Sequence, residues 1–297
     1  MTRFAERPWT QGVSFTEMLA KAVAERVAVA AFNVYDLASV RAALTVAQQT
    51  GQPILLALGE RYFKNLRPVG VVGLLNGLLE SPTMGAPLSP LGLHLDHALA
   101  YESCVEAVTA GFSSVMIDAS QFDFAENVRQ TRAVVERAHA HGVGVEAELG
   151  GLAAGMASHE FVSGQELLTD PDQAAEFVAQ TGVDALAVSV GTVHGLYKGE
   201  PHLDLERLDA IQHRVSIPLV LHGGSGTPAD LLHAAIRRGV AKVNVNTEVS
   251  LAAVGAIAAT LRDHPQVHMA ELDQQAQAAM ESTMARYVQL FHPATAH

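Results

Sequence analysis

Three histidines follow apolar runs and sit in glycine-containing turns. His97 ends Gly92-Leu93-His94-Leu95-Asp96-His97, His194 lies in Gly191-Thr192-Val193-His194-Gly195, and His222 lies in Leu221-His222-Gly223-Gly224. Neutral imidazole suits zinc, and three protein ligands leave one position open for a substrate. Asp96 stands beside the first histidine. A carboxylate near a divalent cation stays ionised and can take a hydroxyl proton, so Asp96 is the candidate general acid/base. Asp118 and Glu148 end other apolar runs. They either orient the histidines or offer an alternative or second metal position. His94 shares the face of Asp96 by strand alternation, which points inward and to a supporting role.

A second group suits an anion. Gly223-Gly224-Ser225-Gly226 exposes backbone N–H groups, and a helix start follows, with Thr227 read as N-cap and Pro228 as N1. Asn244-Val245-Asn246-Thr247 follows the last apolar run.

These residues need strands to deliver them. Apolar runs at 27–33, 53–58, 91–96, 113–118, 143–149, 185–190, 219–221 and 242–246 alternate with helical patterns at 36–50, 70–79, 101–110, 124–141, 172–181, 205–213, 228–239 and 248–264. Eight such units imply a parallel sheet closed into a (β/α)8 (TIM) barrel. A doubly wound open sheet would show a glycine fingerprint after the first strand, and none is present. Residues 1–297 read as a single domain, with the barrel at about 14–264 and a helical tail at 265–297 whose amphipathic pattern (269–290) suits capping or subunit contact. In such a barrel the chemistry lies at the carboxyl ends of the strands. That rim collects Asn33, Asp96, His97, Asp118, Glu146, Glu148, His194, His222, Asn244, Asn246 and Thr247. Barrels often seat a phosphate between the seventh and eighth loops, which are the two anion-suited stretches here.

The formal net charge of −12 argues against nucleic acid, which recruits Lys and Arg. No apolar run approaches about 18 residues and residues 1–10 lack an apolar leader, so a cytoplasmic protein without a membrane partner is expected. The single cysteine, Cys104, cannot form an internal disulfide and reads as a small core residue.

The motifs Ala31-Phe32-Asn33, His94-Leu95-Asp96-His97, Val115-Met116-Ile117-Asp118-Ala119-Ser120, Glu146-Ala147-Glu148-Leu149-Gly150, Gly191-Thr192-Val193-His194-Gly195, Leu221-His222-Gly223-Gly224-Ser225-Gly226 and Asn244-Val245-Asn246-Thr247-Glu248 jointly resemble the class II, zinc-dependent fructose/tagatose-bisphosphate aldolases. The resemblance runs in order over about residues 14–255. It implies Zn2+ on His97, His194 and His222, acting as Lewis acid on the ketone of dihydroxyacetone phosphate, and Asp96 moving the proton of the aldol hydroxyl. It also implies a ketose-phosphate site made by Asn33, Gly195, Lys198, Gly223, Gly224, Ser225, Asn244, Val245, Asn246 and Thr247. A monovalent cation (Na+ or K+) near the phosphate and a homodimer or homotetramer are further implications.

The chain departs from the family pattern in three places. Met156 stands where a loop acid is usual, which leaves Glu160 or His159 to replace it. Gly59 stands where the second strand usually ends in Ser or Thr. No arginine follows the eighth helix near His264-Pro265-Gln266. These changes touch the aldehyde half and the proton relay, so the expected reaction keeps dihydroxyacetone phosphate while its aldehyde need not carry a phosphate. A zinc hydrolase barrel is the competing enzyme, but it calls for a His-x-His pair on the first strand, which is absent. A degenerate sugar-phosphate sensor or accessory subunit is the non-enzymatic alternative.

Overall fold

The computed structural model describes residues 13–81, 89–158, 167–197 and 199–292. Eight parallel strands close into a barrel: β1 (Val29–Asn33), β2 (Ile54–Gly59), β3 (Leu91–Ala98), β4 (Ser114–Ile117), β5 (Gly144–Leu149), β7 (Ala185–Val188), β9 (Leu219–Leu221) and β10 (Val240–Val245), the last pairing with the first. Two short strands, β6 (Ala153–Ala154) and β8 (Val193–His194), pair with each other outside it. Outer helices follow the strands: α2 (Leu37–Thr50), α3 (Pro68–Leu79), α4 (Tyr101–Ala110), α5 (Phe124–His139), α6 (Pro171–Thr181), α7 (Leu205–Gln212), α8 (Ala229–Ile236) and α9 (Thr247–Asp263). A helix precedes them, α1 (Phe15–Glu25), and a last one, α10 (Met269–Phe291), packs across α9 and α2. Among the described residues no helix is long and apolar enough to cross a membrane.

The strands are buried on both faces, which is why they read as continuous apolar runs rather than alternating ones. The two faces still differ in size. Ala31, Leu55, Ala57, Met116, Ala185, Ala187 and Val220 fill the barrel interior. Bulkier neighbours such as Phe32, Leu56 and Leu58 face the helices.

The sequence reading did not anticipate α1. Its signal was present: the Ser14 hydroxyl accepts from Glu17 N while the Glu17 carboxylate accepts from Ser14 N, a reciprocal cap. The helix plugs the lower mouth, adding Phe15, Met18, Leu19 and Ala22 to the interior cluster. Phe15 stacks on His94 with ring centroids 5.9 Å apart and planes 12° apart. Gly144 permits this, since a Cβ there would lie 2.6 Å from the Phe15 ring.

Two boundaries differ where backbone groups have other partners. The sixth barrel strand stops at Val188, and His194 rides instead on the separate strand β8. Pro228 is the N-cap of α8 rather than N1, and Thr227 does not cap it. The Thr227 hydroxyl donates to Gly223 O at 3.1 Å. Cys104 is buried, as read.

Phe15→Ala removes a ring that is 2% exposed. It is expected to cost about 3 kcal/mol or more in denaturant unfolding. A loss below about 1 kcal/mol would show that the barrel base does not rest on α1.

Candidate active site

A regular strand would send Asp96 and His97 to opposite faces. The β3–β4 register shifts between Leu95 and Ala98, and His97 has φ +46°. This bulge brings both side chains to the pocket. The left-handed backbone costs a residue with a Cβ about 1–2 kcal/mol.

The three histidines converge from the end of β3, from β8 and from the turn after β9. Ligand atoms of His97, His194 and His222 all lie within 4.8 Å of one another. Carboxylates fix two of the rings. His97 Nδ1–H donates to Asp118 Oδ2 at 2.8 Å, and His222 Nε2–H donates to Glu146 Oε1 at 2.9 Å. With those nitrogens committed, His97 Nε2 and His222 Nδ1 face each other 2.8 Å apart. Two lone pairs at that distance repel, so either a proton or a metal ion must sit between them. His194 is 7% exposed, and neither of its ring nitrogens has a hydrogen-bond partner among the described residues. Unsatisfied buried nitrogens aimed at a shared point are what a divalent ion would satisfy, so the donor set fits zinc.

Two of the three rings are held towards the neutral form that a metal ligand needs. Burial, followed by His97 and His222, holds His194 well below the ordinary imidazole value. Burial and His97 likewise lower His222. Burial also works against protonated His97, but Asp96 and Asp118 outweigh it and raise its pKa. A second group of His97, Asp118 and Glu148 also has its ligand atoms within 4.8 Å, and it shares His97 with the first. Burial and the nearby Asp118 push Glu148 up, in favour of its protonated form.

Asp96 accepts on both oxygens, from Asn33 Nδ2 at 2.8 Å and from Asn244 Nδ2 at 2.9 Å. Asn244 is oriented by Lys242, whose Nζ donates to Asn244 Oδ1 at 2.6 Å. Lys242 also pairs with Glu146 at 2.9 Å, both side chains having no exposure. Burial opposes ionised Asp96, but His97, His222 and Lys242 together hold it well below the usual carboxylate range. Glu146 is held at about 2, because Lys242 and the His222 hydrogen bond outweigh its burial. The sequence reading placed Glu146 at the rim without a role and passed over Lys242. The available signal was a lysine flanked by apolar residues in a strand buried on both faces.

The pocket is lined by Asn33, Asp96, His97, His194, Gly195, His222, Gly223, Ser225, Asn244, Asn246 and Thr247. Two residues assigned to it by motif do not line it. The amide of Gly224 is used on Asn244 O at 2.9 Å, and Val245 belongs to the outer core beneath the helices. Glu160, His159 and Lys198 lie outside the described residues. Close approach of the loops depends on glycine: a Cβ at Gly223 would lie 2.2 Å from Val193 O. Met156 is exposed, with its backbone bridged to Leu196.

Glu146→Gln weakens the carboxylate that orients His222. A 10–100-fold loss of zinc affinity is expected by competition with a chromophoric chelator. Unchanged affinity would remove Glu146 from the site. His94, hydrogen-bonded to Ser114 Oγ at 2.9 Å, is lowered to about 3 by burial and then by Lys242. An unfolded chain takes up that proton near pH 6.5 and the fold does not, so this group makes stability fall as pH drops from 6.5 towards 3. Its ring NMR signals should stay fixed between about pH 7 and pH 5; a midpoint in that range would contradict its burial.

Comparison with known proteins agrees with the geometry. The model of the family described as fructose-bisphosphate aldolase class-II matches residues 13–295. A fructose-bisphosphate aldolase of Geobacillus stearothermophilus is 42% identical over 259 residues, covering 86% of this chain and 88% of that protein. One from Staphylococcus aureus (strain Mu50 / ATCC 700699) is 40% identical with the same coverage. The crystal structure of the YdjI aldolase from Escherichia coli K12 superposes with a TM-score of 0.79 at 32% identity, covering 93% of this chain and 96% of that one. With a closed barrel, a histidine cluster at its carboxyl rim and a match along nearly its whole length, the chain belongs to the class II fructose-bisphosphate aldolase family and is an aldolase, a carbon–carbon lyase.

Proposed function

We propose that the protein reversibly cleaves a phosphorylated ketose, fructose- or tagatose-bisphosphate-like or a related ketose phosphate, to dihydroxyacetone phosphate and an aldehyde. One observation carries this reading. Three imidazoles meet within 4.8 Å beside an ionised carboxylate in the same pocket. His97, His194 and His222 would hold zinc, which when bound supplies Lewis-acid polarisation of the ketone.

The chain's own residues do the rest. Asp96 takes the proton of the aldol hydroxyl as the carbon–carbon bond breaks, and the bonding pair passes into the ketone fragment. Asn33 and Asn244 keep Asp96 aimed and ionised. Met156 has no titratable group, so we assign the proton exchange at the ketose carbon to Glu160, four residues on in the sequence. The phosphate is read onto Gly195, Gly223 and Ser225, whose amides make no hydrogen bond among the described residues. Thr247, at the first turn of the 17-residue helix α9, adds the amino end of a helix dipole. Ser225 Oγ accepts from Glu248 N at 3.2 Å, which leaves its proton for the phosphate.

Incubation with a panel of phosphorylated ketoses, read by a reductase specific for dihydroxyacetone phosphate, tests the reading. At least one ketose should be cleaved, chelation should stop the reaction, and zinc should restore it. Asp96→Asn should lower kcat by about 10²–10⁴ with metal content retained. No release from any ketose would favour a sugar-phosphate sensor.

A further inference from the structure

The loop that would grip the ketose phosphate is rich in glycine, and the last helix holds it. Gly223, Gly224 and Gly226 leave this turn many conformations, so contacts from elsewhere have to fix it. Its amides divide into two sets. Those of Gly223 and Ser225 make no hydrogen bond among the described residues, and they are the ones read onto the phosphate. The other amides are tied down. Gly224 N donates to Asn244 O at 2.9 Å, Thr227 N to Gly224 O at 3.3 Å, and Gly226 N to Glu248 Oε2 at 2.9 Å. Gly226 has φ +76°, so the bond to Glu248 fixes a left-handed turn immediately after Ser225.

Glu248 is itself held from α10. The Tyr287 hydroxyl donates to Glu248 Oε2, and its oxygen lies 3.3 Å from Gly226 N as a second acceptor for that amide. The Arg286 guanidinium pairs with Glu248 Oε1 at 3.2 Å and lies 4.5 Å over the Tyr287 ring. Tyr287 is 1% exposed and packs on Phe291 with ring centroids 5.7 Å apart, so packing fixes where its hydroxyl points. This restraint matters because of where Glu248 stands. It is the second residue of α9, whose amino end is the helix dipole read onto the phosphate. A carboxylate set loose there would turn to the same amino end and compete with the phosphate for it. Bonded to Tyr287 and Gly226, it steadies the turn instead.

We propose that Tyr287 is a positioning residue for the ketose phosphate. Through Glu248 it fixes the turn at Gly226, keeps the Gly223 and Ser225 amides presented to the anion, and keeps the Glu248 carboxylate off the amino end of α9. This rests on the aldolase reading above, which seats dihydroxyacetone phosphate in this loop. Tyr287 does not line the pocket and acts only through the residues that it holds.

Two measurements on the zinc-loaded full chain test this. Titration calorimetry with dihydroxyacetone phosphate gives Kd, and exchange of that ligand's C–H with solvent at saturation gives the rate of a step that needs no aldehyde. Tyr287→Phe keeps the ring and removes the hydroxyl. Its Kd should rise at least about five-fold, the scale of one hydrogen bond. With zinc content equal, its saturated exchange rate should stay within about two-fold of wild type. In a Glu248→Ala background the same change should move Kd by less than about two-fold, because Tyr287 acts through that carboxylate. A Kd in Tyr287→Phe within about two-fold of wild type would overturn the proposal, and so would a loss undiminished in the Glu248→Ala background. An exchange rate that fell in step with affinity would overturn it too, since a general loosening of the site would then explain the loss. Wild type that binds dihydroxyacetone phosphate without exchanging its C–H sinks the aldolase reading alone, the role of Tyr287 being read from Kd. No binding in the wild type sinks both.

Discussion

Glu146 sits wholly buried between His222 and Lys242, and the site is organised around that one negative charge. An isolated carboxylate in a protein interior would be protonated. Here the lysine keeps it ionised, and the ionised form fixes the tautomer of His222 with Nδ1 turned to the pocket. The same lysine turns the Asn244 amide so that its Nδ2 faces Asp96. His222 and Asp96, the proposed metal ligand and proton carrier, are thus aligned by one buried ion pair. Removing either partner would leave an uncompensated charge in the barrel, the costly way to break such a pair.

The loops around this core approach closely enough to share a substrate because glycine lines their contacts. Gly223 meets the backbone of Val193, and Gly195 meets that of Met156. Strands β6 and β8 then tie the segment after β5 to the backbone of His194, with Gly155 N donating to His194 O at 2.7 Å. On the other side, Tyr287 of α10 reaches the Gly224–Gly226 turn and hydrogen-bonds Glu248, whose carboxylate accepts from Gly226 N at 2.9 Å. The last helix, whose sequence suits capping or subunit contact, packs across α9 and α2 and also braces the Gly224–Gly226 turn.

Much of this was legible in the residues. Strands buried on both faces announce themselves as apolar runs, so the eight barrel strands could be placed within a few residues. The three histidines could be gathered because equivalent strand ends meet in a barrel. What stayed hidden depended on long-range pairing or on backbone detail. Glu146 and Lys242 are 96 residues apart and meet only across the closed barrel. The bulge at His97 has no glycine or proline to mark it. Gly224 and Val245 were credited to the substrate for belonging to the right motif, yet one amide is used in the fold and the other side chain faces the helices. Gly59 read as the loss of a group, and only the packed structure shows the Tyr62 ring 3.1 Å from where its Cβ would lie. The helix α1 is the opposite case, since Ser14 and Glu17 spelled its start and were passed over.

The central claim is that one ion joins the three histidines His97, His194 and His222. X-ray diffraction at the zinc absorption edge, on crystals of the zinc-loaded protein, addresses it directly. The account expects a single anomalous peak about 2.0–2.1 Å from nitrogens of His97, His194 and His222, with a fourth position open. A protein that retains no divalent ion, or an ion held away from these three rings, would contradict it.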